Sequence, residues 1–129
     1  MIVVDSSTWI THFRNVASER VRTLRSLFGV KELLVGDIVL LEILQGSRDE
    51  AHAVRLAHEL NAFNVARMLD EDIAVQAAHH SRILRGKGIT VHKTIDLIIG
   101  TYCIAHGHTL LHDDRDFEPM REHLGLIVL

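Results

Sequence analysis

The sequence predicts an α/β fold in which a mainly parallel sheet is covered by helices on both faces. Three observations point there. Short aliphatic runs, Ile2-Val3-Val4, Leu33-Leu34-Val35 and Thr109-Leu110-Leu111, lack the polar alternation of a half-exposed strand and suit strands buried on both faces. Segments with apolar residues at helical spacing separate them, and strands that alternate with helices build parallel sheets. The 129 residues are 47% hydrophobic and 24% charged, which supplies one core and a charged surface.

The elements follow in order. The first strand stops at Asp5, and Ser6 and Ser7 offer caps for a short helix carrying Trp9, Ile10 and Phe13. Ser18 caps a second helix, in which Val21, Leu24, Leu27 and Phe28 recur at helical spacing, and Gly29 closes it. After the strand Leu33-Leu34-Val35, Gly36-Asp37 turns into a helix from Ile38 to about Gln45, ended by Gly46. From Ser47 to Asn61 an amphipathic helix directs Ala51, Val54, Leu56, Ala57 and Leu60 inward, with Arg48, Glu50, Arg55 and Glu59 outward. Val65 to Leu69 is a third strand, interrupted by Arg67. Asp70-Glu71 opens a helix that runs to about Arg85, where its acids complement the helix dipole. Beyond the flexible turn Gly86-Lys87-Gly88, Thr94 caps a helix from Ile95 to His106, and the last strand is Leu126–Leu129.

Composition narrows the function. With 14 basic and 17 acidic residues the formal charge is −3, which argues against binding nucleic acid by bulk positive charge. Cys103 is the only cysteine, so an intrachain disulfide and a cysteine-based metal cluster are excluded. The first residues lack the basic and long apolar regions of a signal peptide, and Glu42 and Asp96 interrupt the longest apolar segments. The expectation is a single domain over residues 1–129, cytoplasmic and not membrane-bound.

The informative residues are carboxylates in apolar surroundings. Asp5 ends a buried strand, and Asp114 and Asp116 follow another, so parallel strands would set them on one rim of the sheet. Taken singly, Asp5 is a helix cap and the others are turn residues. Glu42 stands among Ile38, Val39, Leu40, Leu41, Ile43 and Leu44, and Asp96 between Ile95 and Leu97-Ile98-Ile99. A carboxylate so placed is costly unless paired or bound to a metal. Asp96 could alternatively complement a helix dipole. Asp37 falls on another helical face and suits a cap, and alternation turns Asp113 away from Asp114. With no matching buried Lys or Arg, four converging carboxylates call for Mg²⁺ or Mn²⁺, and that chemistry suits phosphoryl transfer or hydrolysis.

Four stretches carry a family resemblance: Val3-Val4-Asp5-Ser6-Ser7-Thr8-Trp9-Ile10, Asp37 through Gly46, Thr94 through Ile99, and Leu110 through Phe117. Together they resemble, in order and end to end, PIN-domain ribonucleases of the VapC toxin family, the toxic half of VapBC toxin–antitoxin pairs. Each motif is short; their succession is specific. The resemblance implies a PIN-like three-layer α/β/α sandwich with a central, mainly parallel sheet of four to five strands. It implies a Mg²⁺-dependent endoribonuclease that cleaves RNA with metal-activated water and is inhibited by a cognate VapB-like antitoxin. It implies a homodimer, in a larger toxin–antitoxin assembly. Asp5, Glu42, Asp96 and Asp114 match the catalytic, metal-holding quartet, Asp116 an auxiliary ligand, and Ser6 a hydroxyl that supports the first Asp. His112 departs from the pattern, since the family commonly has Thr, Ser or Asn there.

Other features bear on alternatives. His106, His108 and His112 could suggest a transition-metal site or a metal-free ribonuclease, but no His-Glu-x-x-His pattern accompanies them and Glu42 and Asp96 would stay unexplained. His79-His80 fit a partly exposed helix. Arg85, Lys87, Lys93 and Arg115 are candidate RNA-backbone contacts beside the acids, although a solvated helix end and loop explains most of them as well. A receiver-like Mg²⁺-binding signalling domain would need a phosphoacceptor Asp after a middle strand and a Lys after a late one, and neither is evident. A weakly catalytic PIN protein serving mainly as antitoxin partner and corepressor is a further alternative. For the antitoxin, the early helices offer Trp9, Ile10, Phe13, Val21, Leu24, Leu27 and Phe28, with Trp9 and Leu24 expected in the core and the rest in a docking groove.

Overall fold

The computed structural model describes residues 1–129 and contains five parallel strands in the order β3-β2-β1-β4-β5. The strands are β1 (Ile2–Val4), β2 (Leu33–Gly36), β3 (Asn64–Ala66), β4 (Thr109–Leu111) and β5 (Ile127–Val128). The helices are α1 (Ser6–Phe13), α2 (Glu19–Leu27), α3 (Asp37–Gln45), α4 (Glu50–Leu60), α5 (Glu71–Gly86), α6 (Thr94–His106) and α7 (Glu118–Leu124). A 3₁₀ turn, Arg115–Phe117, leads into α7.

β1 lies in the middle, with Val3 beside Leu34 on one side and beside Leu110 on the other. From β1 the chain steps outward through β2 to β3, then returns across the sheet to β4 and β5. Right-handed crossovers therefore put α1–α4 on one face and α5–α7 on the other. Helix α1 packs on both α2 and α3, and α3 on α4, while α5 packs on both α6 and α7. The change of direction falls between β1 and β4, so the crevice at their carboxyl ends is the natural site position. Val3, Val4, Leu110 and Leu111 are fully buried there, which accounts for their aliphatic character.

Several elements differ from expectation. β3 is Asn64–Ala66, not 65–69, because the chain leaves the edge of the sheet after Ala66. There Met68 drops into the core and its N–H donates to Asp37 Oδ1 at 3.1 Å. A Cβ on Gly36 would run into the Met68 thioether, so glycine here lets Met68 pack where it does. In α4 only Leu56 and Leu60 are buried; Ala51 and Val54 face solvent, Val54 being ~200° round the helix from Leu56. Asp49, not Ser47, caps α4, and its side chain accepts from His52 N–H at 2.8 Å. Ser47 instead donates to Leu44 O and helps to close α3. Thr94 is the first residue of α6 and Lys93 holds the cap position, so Thr94 makes no capping bond. Asp5, whose side chain accepts from Ser7 N–H, caps α1 in place of Ser6 or Ser7.

α7 and the 3₁₀ turn were not anticipated. Charged residues hide their periodicity, yet Phe117 and Met120 are fully buried and Pro119 sits in the first turn, where it is tolerated. Met120 packs against α6 so closely that a Cβ on Gly100 would meet its thioether. Trp9 is buried among Phe13, Phe28 and Phe63, with ring centroids 5.2–6.2 Å away.

Candidate metal centre

Asp5 follows β1 directly and is 2% exposed. Its N–H extends the ladder by donating to Leu111 O at 2.9 Å, which locks the loop after β1 against the end of β4. Oδ2 accepts from Ser7 N–H at 3.1 Å and from Ser7 Oγ at 2.7 Å. Oδ1 is buried without a partner. Burial pushes the Asp5 pKa up, against the pull of the Ser7 bonds.

Ser7 in turn accepts from Asp113 N–H at 3.1 Å, and so ties the first loop to the loop after β4. The family resemblance implies this supporting role for Ser6. The structure reassigns it: Ser6 Oγ donates to Glu42 Oε1 at 2.9 Å, because the first turn of α1 aims Ser6 at α3 and Ser7 back at its own cap. Glu42 is half-buried on α3, and burial followed by the negative charge of Asp5 raises its pKa despite the Ser6 bond.

Asp96 lies in the first turn of α6 and is 3% exposed. Its pKa is pushed up to about 7, first by burial and then by the charges of Asp5 and Asp114. Its Oδ2 is buried and lacks a hydrogen-bond partner. Asp114 begins the turn after β4, where Oδ1 accepts from Asp116 N–H at 2.9 Å and Oδ2 from Lys93 Nζ at 2.7 Å. Burial pulls its pKa upward, but the Lys93 and Asp116 bonds outweigh that and hold it below the usual carboxylate value. Asp96, Asp114 and Asp116 each offer an oxygen within 4.8 Å of the others.

Lys93 adds a solvent-exposed cation to the acids, which otherwise meet no buried Lys or Arg. Its ammonium is 2.7 Å from Asp114 and 3.9 Å from Asp96, while more than half its side chain stays in solvent. Of the four candidate RNA contacts, Lys93 thus engages the carboxylates, whereas Arg85, Lys87 and Arg115 are exposed and form no salt bridge. Asp37 does not cap α3 as expected, since Gly36 holds the cap position; its Oδ1 instead accepts from the backbone N–H groups of Ile38 and Met68.

His112 is 3% exposed and packs on Phe117, with ring centroids 4.9 Å apart. Its Nδ1 accepts from Asp114 N–H at 3.0 Å, which takes over the loop-shaping hydrogen bond a small polar side chain would make. Burial lowers its pKa, so the neutral ring carries its proton on Nε2. The other histidines gather no metal site: His80 pairs with Thr101 Oγ1 at 2.9 Å, and His106 stacks on Tyr102 with centroids 4.2 Å apart.

The carboxylates can hold a hard divalent cation. Asp5 Oδ1 and Asp96 Oδ2 are buried acceptors with no donor, and one exposed Lys does not neutralise five acids around them. An oxygen-only donor set suits Mg²⁺ or Mn²⁺ over softer metals.

A second concavity lies on the helical face of α1, α3 and α4, a cleft of about 330 Å³. Ile10, Phe13, Ile43 and Leu56 form its apolar part, and Arg14, Arg48 and His52 its rim. Expected groove residues divide accordingly: Trp9, Leu24 and also Val21 are core, Ile10 and Phe13 line the cleft, and Leu27 and Phe28 are half-buried outside it. No helix is long and apolar enough to cross a membrane.

Comparison with known proteins bears directly on this arrangement. The model of the PIN domain family matches residues 2–122. The VapC ribonuclease Mb1587 of Mycobacterium bovis is 33% identical over 125 residues, covering 92% of this chain and 90% of that protein. Ribonuclease VapC11 of Mycobacterium tuberculosis matches to the same extent. Among solved structures, VapBC2 from Rickettsia felis, bound to a promoter DNA fragment, gives a TM-score of 0.79 at 19% identity over 100% of this chain and 98% of that one. VapC20 of Mycobacterium tuberculosis, a toxin that cleaves the sarcin–ricin loop, gives 0.67 at 21% identity over 92% and 93%.

Proposed function

The chain belongs to the PIN-domain family, and from that premise we propose that it is a divalent-cation-dependent endoribonuclease, the toxin of a toxin–antitoxin pair. The observation that carries this reading is the pair of buried carboxylate oxygens, Asp5 Oδ1 and Asp96 Oδ2, left without donors at the sheet's switch point. A fold that spends stability on such groups retains them for a ligand. VapC ribonucleases at 33% identity supply the substrate class.

Asp5, Asp96 and Asp114, with Asp116 beside them, would hold the cation. A divalent cation bound there supplies Lewis-acid stabilisation of charge on a phosphodiester during hydrolysis. The chain does the rest. Ser7 fixes the Asp5 carboxylate by two bonds, and Ser6 fixes one oxygen of Glu42, which leaves Glu42 Oε2 to accept a proton from the attacking water. The raised Glu42 pKa brings that carboxylate closer to working pH. Lys93, tethered but largely in solvent, can turn from Asp114 to the RNA backbone.

The antitoxin is the second element of the proposal. The apolar cleft of Ile10, Phe13, Ile43 and Leu56, with its arginine rim, fits an amphipathic segment that carries acidic residues. The proposal includes a VapB-like antitoxin, supported by the VapBC toxin–antitoxin complexes among its structural neighbours, together with a homodimer and a cytoplasmic location. PIN membership sets aside a receiver-like signalling domain. Purified chain should cleave RNA with Mg²⁺ or Mn²⁺, stop in EDTA and recover on readdition. Cleavage undiminished by EDTA, with divalent cation fully removed, overturns the reading.

A further inference from the structure

Beyond the acids, on the outer side of Asp114, lies a separate cleft of about 240 Å³ lined by Arg20, His112, Asp113, Asp114, Arg115 and Glu118. Its donors are free, whereas both Asp114 oxygens and one Glu118 oxygen are engaged and the exposed Asp113 carboxylate is not. Arg20, half-buried near the start of α2, and Arg115, exposed in the turn after Asp114, form no salt bridge. His112 is only 3% exposed, and its Nε2 has no hydrogen-bond partner. The nearest carboxylate oxygen, Glu118 Oε1, is 3.7 Å from Nε2, too long for a hydrogen bond. Because Nδ1 accepts from Asp114 N–H, the Nε2 side is the donor. Glu118 meanwhile bonds Arg121 at 2.7 Å, and Asp114 is taken by Lys93 and Asp116 N–H.

Although Asp113, Asp114 and Glu118 also line the hollow, its two unpaired guanidinium groups and its buried, unsatisfied N–H suit an acceptor-rich, anionic group. The hollow shares Asp114 with the acidic centre, so the ligand is continuous with whatever is cleaved there. We propose that Arg20, Arg115 and His112 form a subsite for the RNA phosphate next to the scissile one, which sets the direction in which the strand crosses the acids. This rests on the ribonuclease reading above and extends it to residues outside the quartet. Arg20 comes from α2, far from His112 and Asp114 in sequence, so the packing of α2 makes it a wall of the substrate path. An acidic protein segment would satisfy the same donors, but a site that opens onto the cleavage centre favours the nucleic acid.

The test uses the whole chain and a fluorescein-labelled, mixed-sequence single-stranded RNA in EDTA, so that binding is read without cleavage. Arg20→Ala and Arg115→Ala should each weaken binding by about threefold to tenfold and lower the salt-dependence slope by about 0.7. Arg22→Ala is the control: it removes the same charge from the same helix, ~200° round from Arg20, and should leave binding unchanged. Arg20→Lys should restore part of the loss, and in cation-supplemented assays Arg20→Ala should raise KM with kcat nearly constant. His112→Asn, which can still accept from Asp114 N–H, should weaken RNA binding while Mn²⁺ affinity by calorimetry holds. If Arg20→Ala and Arg115→Ala bind RNA no more weakly than Arg22→Ala, the subsite is overturned while the ribonuclease reading stands. If the parent chain neither binds nor cleaves RNA, that reading fails and the subsite with it. Loss of antitoxin capture alone in Arg20→Ala, with RNA binding intact, assigns the hollow to a protein and also overturns the proposal.

Discussion

Lys93 Nζ lies 2.7 Å from Asp114 Oδ2 and 3.9 Å from Asp96 Oδ2, which places one tethered positive charge among five carboxylates. The pair forms because Lys93 holds the cap position of α6 while Asp114 begins the turn after β4. Its bond to Asp114 raises the Lys93 pKa, so the ammonium stays charged at any working pH.

Lys93→Met should therefore tighten divalent-cation binding, because a competing charge leaves the carboxylates. With so much of the side chain in solvent, the gain is about threefold to tenfold. Calorimetric titration with Mn²⁺ at low and high salt checks it; equal affinities in both proteins would mean that Lys93 does not compete.

Asp96→Asn should remove the contribution of Asp96 to the pH dependence of cation-free stability. The folded pKa, about 7, lies above the ordinary carboxylate value, so the folded state holds the proton more tightly than the unfolded chain. Stability linked to this proton is complete below about pH 4 and is lost as pH rises through about 7. In EDTA at pH 8 the variant should be more stable than the parent by about 1–3 kcal/mol, and the difference should vanish toward pH 4. Added Mn²⁺ should stabilise the parent and leave the variant nearly unchanged. Thermal melts in both buffers across that range decide it.

Cleavage products should carry a 5′-phosphate and a 3′-hydroxyl, since water is the nucleophile at an acidic centre of this kind. A 2′,3′-cyclic phosphate, detected by mass spectrometry of a short RNA, would shift the chemistry to the ribose hydroxyl and to histidine.

Phe13→Asp should abolish capture and inhibition by a co-expressed antitoxin, because Phe13 lines the cleft between α1 and α4. Leu27→Asp should matter less, since Leu27 lies outside that cleft. Co-purification of folded, active variants separates them, and retention of the antitoxin by Phe13→Asp moves the docking site elsewhere.

Gly100→Ala should destabilise the fold by about 1–3 kcal/mol, because the new methyl group overlaps the Met120 thioether. Gly86→Ala, which meets nothing, should be neutral within about 0.5 kcal/mol. Urea denaturation of both variants measures the difference.

The sequence alone determined the parallel α/β architecture, since short aliphatic runs without alternation, separated by segments of helical spacing, suit strands covered on both faces. It also placed Asp5 and Asp114 on one rim, because parallel strands deliver their following residues to the same edge. Glu42 and Asp96 were legible as acids in apolar helices, where an unpaired charge is too costly to be incidental. Boundaries set by long-range contacts were not legible: β3 ends where Asp37 captures Met68, 31 residues away in sequence, and α7 is held by Phe117 and Met120 beneath a charged surface. Only the tertiary structure decided that Ser7 holds Asp5 while Ser6 reaches Glu42, and that Lys93 stands among the acids. It also brought Arg20 on α2 beside His112 and Asp114. Local spacing fixes which face of an element a residue occupies, whereas the partner it meets depends on how helices from distant parts of the chain pack over the sheet.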